Sequence, residues 1–287
     1  MKPNSEFNNK PKSFWAVVRT ISQDVGYTER GKGQIKVPTI QEIVDSFKSL
    51  NLDDKSIINN AGEISSIAKE LMRYFSYRAD ILNNFVEPRL MDKERAKKVF
   101  QELYDECKPK CPIPMNKQKD KKKSVAYFTA IINIIIEKNI STYGLSCDFD
   151  PRELTTVTTN GFPLRTLARR VDGAFPGPIN PIAVWEIKEY YYTTTFGSRV
   201  ADGIYETLLD GMELEELFDH ERIKILHYLM IDAHYTWWNC GRSYLCRMID
   251  ILHMGYVDEV LFGYEIVETL PSIVKQWVDI ARNSVIR

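Results

Sequence analysis

The alternation of short apolar runs with helical patterns after residue 167 constrains the fold most strongly. Two β-branched and aromatic runs come first, LARRVDGAF and PIAVWEIKEYYY, and repeated helix–strand steps follow them. A helix between two strands allows those strands to lie parallel, with helices covering the sheet. We therefore predict an α/β (α+β) fold in which a mixed sheet is flanked by helices on both faces.

The first third of the chain has a different pattern of apolar residues and is predicted to be helical. Ser13 is in position to cap a first amphipathic helix, and the capping-box sequence Thr39-Ile40-Gln41-Glu42 predicts the start of a second. Apolar residues at helical spacing predict two more helices, over residues 64–75 and 96–107. These elements predict a helical N-terminal region.

The charge distribution divides the chain. The net charge of −1 combines +7 in residues 1–125 with −8 in residues 126–287. A basic segment with three prolines, residues 108–123, is predicted to be a linker or a mobile loop. We predict a basic, DNA-contacting helical region over 1–125 and a catalytic core over 126–287. An uneven scatter of solvated charges is the alternative.

The sequence also indicates in which cellular compartment the protein is expected. No apolar run reaches the roughly 18 to 20 residues of a membrane span, and the first residues lack the apolar stretch of a signal peptide. The five cysteines are scattered and odd in number, which argues against a disulfide framework. We predict a cytoplasmic protein with no membrane association.

The chemistry is concentrated in one predicted strand and the segment before it. Glu186 and Lys188 should project to one face of the strand, and Trp185 and Ile187 to the other. Asp172, predicted to end the preceding strand, reaches the same edge if the two strands form a hairpin. An ordinary surface ion pair is the alternative, although charges within an apolar strand need a partner or a function.

Two carboxylates at one sheet edge are suited to a divalent cation. Mg²⁺ takes one or two protein carboxylates together with water and substrate oxygens, which fits Asp172, Glu186 and the carbonyl of Ile187. A metal site of this kind can activate water and neutralise the charge that develops at a phosphate. We predict Mg²⁺ as the cofactor, with Mn²⁺ as a substitute. Lys188 would orient or deprotonate the water, or stabilise the pentacovalent phosphate.

This arrangement resembles the PD-(D/E)xK nuclease superfamily and, within it, the type II restriction endonucleases. The likeness rests on a VDG sequence that starts at Val171 and on EIK fourteen positions after Asp172, and it covers about residues 167–287. Val171 stands where the superfamily has proline. The resemblance implies a restriction-endonuclease-like fold, with Asp172 and Glu186 at the metal and Lys188 at the attacking water.

The resemblance also implies a function: Mg²⁺-dependent, sequence-specific hydrolysis of double-stranded DNA by a homodimer. Alternatives are a DNA repair, junction-resolving or other defence nuclease with the same chemistry, and a non-catalytic DNA-binding protein. Some superfamily members add a carboxylate from an upstream helix. Glu153 is a candidate for that role, with helix capping or solvation as the alternative reading.

Three further segments are candidates for DNA contact. The basic loop between the first two helices has two glycines that let the backbone approach a phosphate, although a solvated turn would use the same residues. The tyrosine- and threonine-rich turn before the helix near residue 199 could hold a phosphate, or simply end a strand and cap the helix. The aromatic run YTWWN could line a DNA groove or pack inside a domain interface. The predicted DNA-binding residues are Arg30, Lys32, Gln34, Lys36, Ser198 and Arg199.

Overall fold

The computed structural model describes residues 1–29, 31, 33–118, 121–193 and 197–285. The helices are α1 (Lys12–Val25), α2 (Ile40–Ser49), α3 (Ser66–Ile81), α4 (Glu87–Arg89), α5 (Lys93–Cys107), α6 (Tyr127–Ile140), α7 (Ser198–Glu221), α8 (Arg242–His253) and α9 (Glu265–Val285). The strands are β1 (Met115–Gln118), β2 (Lys121–Val125), β3 (Thr156–Thr159), β4 (Phe162–Thr166), β5 (Gly173–Phe175), β6 (Ala183–Glu189), β7 (Leu226–Asp232) and β8 (Glu259–Phe262). Short π-helical segments, Leu82–Val86 and Tyr235–Cys240, precede α4 and α8.

The predicted helical N-terminal region is confirmed, with one correction to a helix start. The capping box of α2 is formed as predicted: Glu42 N donates to Thr39 Oγ1 at 3.2 Å, and Thr39 N donates to the Glu42 carboxylate at 2.9 Å. Ser13 does not cap α1, because the helix begins one residue earlier, at Lys12, and Pro11 occupies the cap position. Proline suits this boundary, since the first turn of a helix does not need its missing N–H.

The predicted mixed sheet is confirmed. Its order is β5-β6-β7-β8, in which β5 runs antiparallel to β6 and the remaining neighbours are parallel. Helices α6 and α9 cover one face, where the rings of Trp185 and Trp277 stack 5.4 Å apart. Helices α7 and α8 cover the other face, packing against Val184 and Leu229. Each strand is therefore buried on both sides, as parallel sheets usually are.

The aromatic run before α8 belongs to this core. Trp237 and Trp238 are buried, and the Trp237 indole N–H donates to the carbonyl of Lys188 at 3.3 Å. Of the two predicted roles, the structure therefore supports core packing for the two tryptophans. Of the aromatic side chains in that run, only that of Tyr235 is more than half exposed.

Several elements differ from the predictions. The basic segment 108–123 is not a simple linker, because β1 and β2 form an antiparallel hairpin there. A second hairpin, β3–β4, was not predicted. Helix α9 begins at Glu265 and contains Pro271 in its second turn. The Glu265 carboxylate accepts the N–H of Phe262 at 3.1 Å, which suits an acidic residue in the first turn of a helix.

The helical region is joined to the core by a buried ion pair. Arg78 of α3 donates to both carboxylate oxygens of Asp250 on α8 at 3.1 Å, and Tyr74 donates to the same carboxylate. Breaking a buried pair by removing one partner strongly destabilises a protein. No helix in the described part of the chain is both long and apolar enough to cross a bilayer.

Candidate active site

The β5–β6 pairing holds Asp172 against the strand that carries Glu186 and Lys188. Asp172 N donates to the carbonyl of Trp185 at 3.1 Å, and Ile187 N donates to Asp172 Oδ2 at 2.7 Å. Asp172 precedes β5, which begins at the next residue, so the prediction that it ends the strand before it is wrong. The chain before it lies in bends and irregular structure rather than in a strand. The predicted hairpin, however, is formed.

A glycine makes this close pairing possible. A Cβ atom at Gly173 would lie 2.1 Å from the ring of Trp185. No side chain fits there unless the indole moves, and the indole is fixed by its stack on Trp277. The packing of Trp185 on the opposite face of the sheet therefore determines the position of the Asp172 backbone.

Glu186 and Lys188 lie on one face of β6, as the strand alternation predicted. The Lys188 ammonium donates to Glu186 Oε2 at 2.8 Å, and both side chains are buried. The neighbouring helix accommodates this pair at Gly203 of α7, where an added Cβ would lie 3.2 Å from the Lys188 side chain. The pair is buried, so the alternative of a surface ion pair does not hold.

Three residues that the sequence analysis did not select complete the cluster. The guanidinium of Arg169 lies 2.9 Å from Glu186 Oε1 and 2.6 Å from Asp210 Oδ2. Glu206 Oε2 lies 3.2 Å from Lys188 Nζ and 3.4 Å from Arg169. A sequence signal existed: Glu206 and Asp210 are four residues apart on an amphipathic helix, which places both on one face. Because both residues are polar, the sequence alone gave no reason to expect that this helix face packs against the sheet.

The cluster has more negative than positive charge. Its four carboxylates, Asp172, Glu186, Glu206 and Asp210, face two cations, which leaves a net charge of −2 when all are ionised. Burial and the charge of Glu186 raise the pKa of Asp172 to about 6 and that of Asp210 to about 7. The surroundings disfavour ionisation of these two carboxyl groups, so a bound cation would stabilise the site.

Glu186 and Lys188 shift in the directions expected of an ion pair. Burial alone would raise the pKa of Glu186, but the charges of Lys188 and Arg169 outweigh it and lower that pKa. Burial alone would lower the pKa of Lys188, but Glu186 and Asp172 raise it. The carboxylate and the ammonium therefore hold each other in their charged forms.

The donor set fits a hard divalent cation. Among the described residues, no group of three or more His, Cys, Asp or Glu side chains is arranged to hold a metal ion. Mg²⁺ does not require such a group, because it keeps several waters and takes only one or two carboxylates. Asp172, Glu186 and Asp210 supply carboxylate oxygens; both oxygens of Glu186 face Arg169 and Lys188, whereas Asp210 Oδ1 is buried without a hydrogen-bond partner. The carbonyl of Ile187 remains a predicted ligand.

Four of the predicted DNA-binding residues belong to the N-terminal region, whereas Ser198 and Arg199 begin α7, the helix that carries Glu206 and Asp210. Arg30, Lys32 and the side chain of Arg199 lie outside the described residues. Gln34 is exposed, whereas Lys36 forms an ion pair with Glu42 at 2.5 Å. The charge of Lys36 is thus already matched within the protein.

The loop and the phosphate-clamp candidates can be placed more closely. Gly31 and Gly33 both have positive φ, 77° and 69°, so the turn itself requires glycine whether or not DNA is present. Ser198 is the exposed first residue of α7, after Gly197 at the cap position. It is therefore not the helix cap that was considered as an alternative. Glu153 is exposed in a bend and forms no part of the carboxylate cluster.

The chain belongs to the family described as Domain of unknown function (DUF7687), whose model matches residues 91–277. Residues 1–85 match a second model, Domain of unknown function (DUF7690). No curated protein and no solved structure matches the chain. The division at residue 125 and the likeness to the PD-(D/E)xK superfamily remain predictions.

Proposed function

We propose that this protein is a Mg²⁺-dependent endonuclease of double-stranded DNA, with a PD-(D/E)xK-type site formed by Asp172, Glu186 and Lys188. The observation that carries the proposal is the buried pairing of Glu186 with Lys188 directly beside Asp172, in a cluster whose carboxylates outnumber its cations by two. A purely structural cluster has no need of surplus buried charge, which destabilises the folded state unless a ligand neutralises it.

The residues have distinct roles in the proposed reaction. Asp172 and Glu186 hold the cation, which when bound makes a coordinated water more acidic and neutralises charge on the phosphate. The water oxygen forms a bond to phosphorus as the bond to the leaving deoxyribose oxygen breaks. The proton lost by the water passes to solvent, and the leaving oxygen takes a proton from solvent. Lys188, kept charged by Glu186 and Glu206, stabilises the pentacovalent phosphate and orients the water.

Arg169 and Asp210 are positioning residues in this proposal. Arg169 bridges Glu186 and Asp210 and so fixes the rotamer of the metal-binding carboxylate. Loosening a ligand by a fraction of an ångström is enough to reduce catalysis. Glu206 and Asp210, both on α7, couple the position of that helix to the site.

The finer assignment is a type II restriction enzyme that acts as a homodimer, because cutting both strands of a symmetric site needs two sites related by a two-fold axis. Supercoiled plasmid of known sequence, incubated with Mg²⁺ or with excess chelator, tests both levels. We expect cleavage only with Mg²⁺ and a few discrete fragments with common ends. A smear would retain the nuclease but exclude sequence specificity, and cleavage in excess chelator would exclude the metal mechanism.

A further inference from the structure

A second candidate site lies away from the carboxylate cluster, in a cleft between the helical region and the core. The cleft has a volume of about 300 Å³ and is lined by α1, by the segment after α1, and by one face each of α7 and α8. Small-molecule sites usually have volumes of about 300–1,000 Å³, so this cleft is the size of one small ligand. It connects residues 1–85 to residues 91–277, the two regions that match different family models.

Arg247 of α8 is fixed in an aromatic surround at this cleft. Its guanidinium lies 5.4 Å from the ring centre of Tyr27 and 4.9 Å from that of Tyr244. It donates to the hydroxyl of Tyr205 at 2.9 Å and to that of Tyr27 at 3.4 Å. The hydrogen bonds use two of its five N–H groups, which leaves three N–H donors for a ligand.

The cleft has positive charge without a matching carboxylate. Within the described part of the chain, neither Arg247 nor Arg19, the exposed arginine of α1 at the cleft, lies within ion-pair distance of an acidic side chain. Asp250 at the cleft floor is already bonded to Arg78 and Tyr74. Apart from Gln23, the rest of the wall is apolar or aromatic, including Trp15. Two arginines without a carboxylate partner, beside the half-exposed ring of Tyr205, favour an anion that carries a planar ring.

We propose that this cleft binds a nucleotide, with the base stacked on the exposed ring of Tyr205 and hydrogen-bonded by Arg247, and the phosphate held by Arg19. Bases stack on aromatic rings and on arginine planes, and arginine binds phosphate through paired N–H groups. The volume fits one mononucleotide. The nucleotide could arrive free in solution or as part of a DNA chain, and the two sources share this chemistry.

The cleft is linked to the candidate active site through one helix. Helix α7 lines the cleft with Ile204 and Tyr205 and carries Glu206 and Asp210 on the face that meets the cluster. A ligand that contacts Tyr205 therefore contacts the helix whose carboxylates position Arg169. Occupancy of the cleft is expected to alter the cluster, but binding itself depends on neither metal nor cleavage.

Calorimetric titration of the full chain with the four 5′-deoxynucleoside monophosphates tests the proposal, with the matching nucleosides and inorganic phosphate titrated in parallel. We expect at least one monophosphate to bind more tightly than its nucleoside. Arg247→Ala should weaken monophosphate and nucleoside binding about fivefold or more, as expected when the hydrogen bonds of Arg247 to the base are lost. Arg19→Ala should remove the advantage of the monophosphate over the nucleoside.

The controls keep the result interpretable. Arg73→Ala removes an exposed arginine of α3 that pairs with Glu6, and it should leave binding unchanged. Arg247→Lys retains the charge without the planar face, and thermal melting shows whether each variant is folded. Absence of saturable binding by every monophosphate, or equal binding by wild type and both arginine variants, overturns the proposal.

Competition distinguishes the two sources. Titrating a monophosphate into protein already saturated with duplex DNA, without metal, should fail if the cleft takes a nucleotide of the DNA chain and succeed if it takes a free nucleotide. Because no arm requires cleavage, failure of the nuclease proposal would leave this result intact, and failure here would leave the nuclease proposal intact.

Discussion

Replacing Asp210 with asparagine should stabilise the metal-free protein at high pH. The carboxyl of Asp210 is buried beside Arg169, one of its oxygens has no hydrogen-bond partner, and its pKa is raised to about 7. An aspartate in the unfolded chain has a pKa near 3.9. The folded state therefore binds the proton more tightly, so ionisation of Asp210 opposes folding increasingly as the pH rises from about 4 to 7. Asparagine cannot ionise and avoids this effect.

The magnitude follows from the two pKa values. The difference between about 7 and about 3.9 corresponds to at most about 4 kcal/mol above pH 7, and to about 1.5 kcal/mol at pH 5. Local rearrangement around the ionised group reduces both bounds. We expect Asp210→Asn to raise the free energy of unfolding by about 1–3 kcal/mol at pH 8, and by clearly less at pH 5.

Urea denaturation in excess chelator at the two pH values measures the effect. Asp219→Asn, at an exposed aspartate of the same helix, is the matched control and should change neither value. An Asp210→Asn protein that is less stable than wild type at pH 8, or that gains equally at both pH values, would refute the electrostatic account of the cluster.

Three further predictions concern the metal, the loop and the hairpin. Mg²⁺ or Mn²⁺ should support plasmid cleavage whereas Ca²⁺ should not, because Ca²⁺ accepts looser coordination and activates water less well; equal rates with Ca²⁺ would contradict the proposed site. Replacing Arg30, Lys32 and Lys36 by alanine should lower the salt dependence of DNA binding by about one unit for each lost phosphate contact, and an unchanged slope in binding isotherms would exclude the loop from the interface. Gly173→Ala should destabilise the protein by about 1–3 kcal/mol, because the new methyl group overlaps Trp185; a melting temperature equal to that of wild type would show that the hairpin can shift freely.

Local patterns in the sequence were enough to predict most of the scaffold. The capping box at Thr39 and the helical spacing of α3 and α5 are encoded by neighbouring residues, and the structure confirms them. The alternation along β6 likewise placed Glu186 and Lys188 on one face. The two hairpins were missed for physical reasons. Lysine-rich β1–β2 has few apolar residues, and β3–β4 has no regular alternation of buried and exposed positions.

The candidate site was only half predictable for a related reason. Asp172 and Glu186 lie close in sequence and are joined by one hairpin, so a local pattern brings them together. Glu206 and Asp210 meet them only through the packing of α7 across the sheet, and Arg169, three residues before Asp172, is oriented by its ion pairs with those two residues and Glu186. A long-range contact of this kind leaves no local signal, because a polar helix face can equally well be turned toward solvent.

The most direct test compares cleavage and binding by Glu186→Gln and wild type on the same plasmid with Mg²⁺. Glutamine keeps the size of the side chain but removes the charge that holds the metal and Lys188. The predicted result is loss of cleavage with DNA binding retained at least in part, because phosphate contacts elsewhere supply most of the binding energy. Cleavage at the wild-type rate by Glu186→Gln would contradict the assignment of this cluster as a nuclease site.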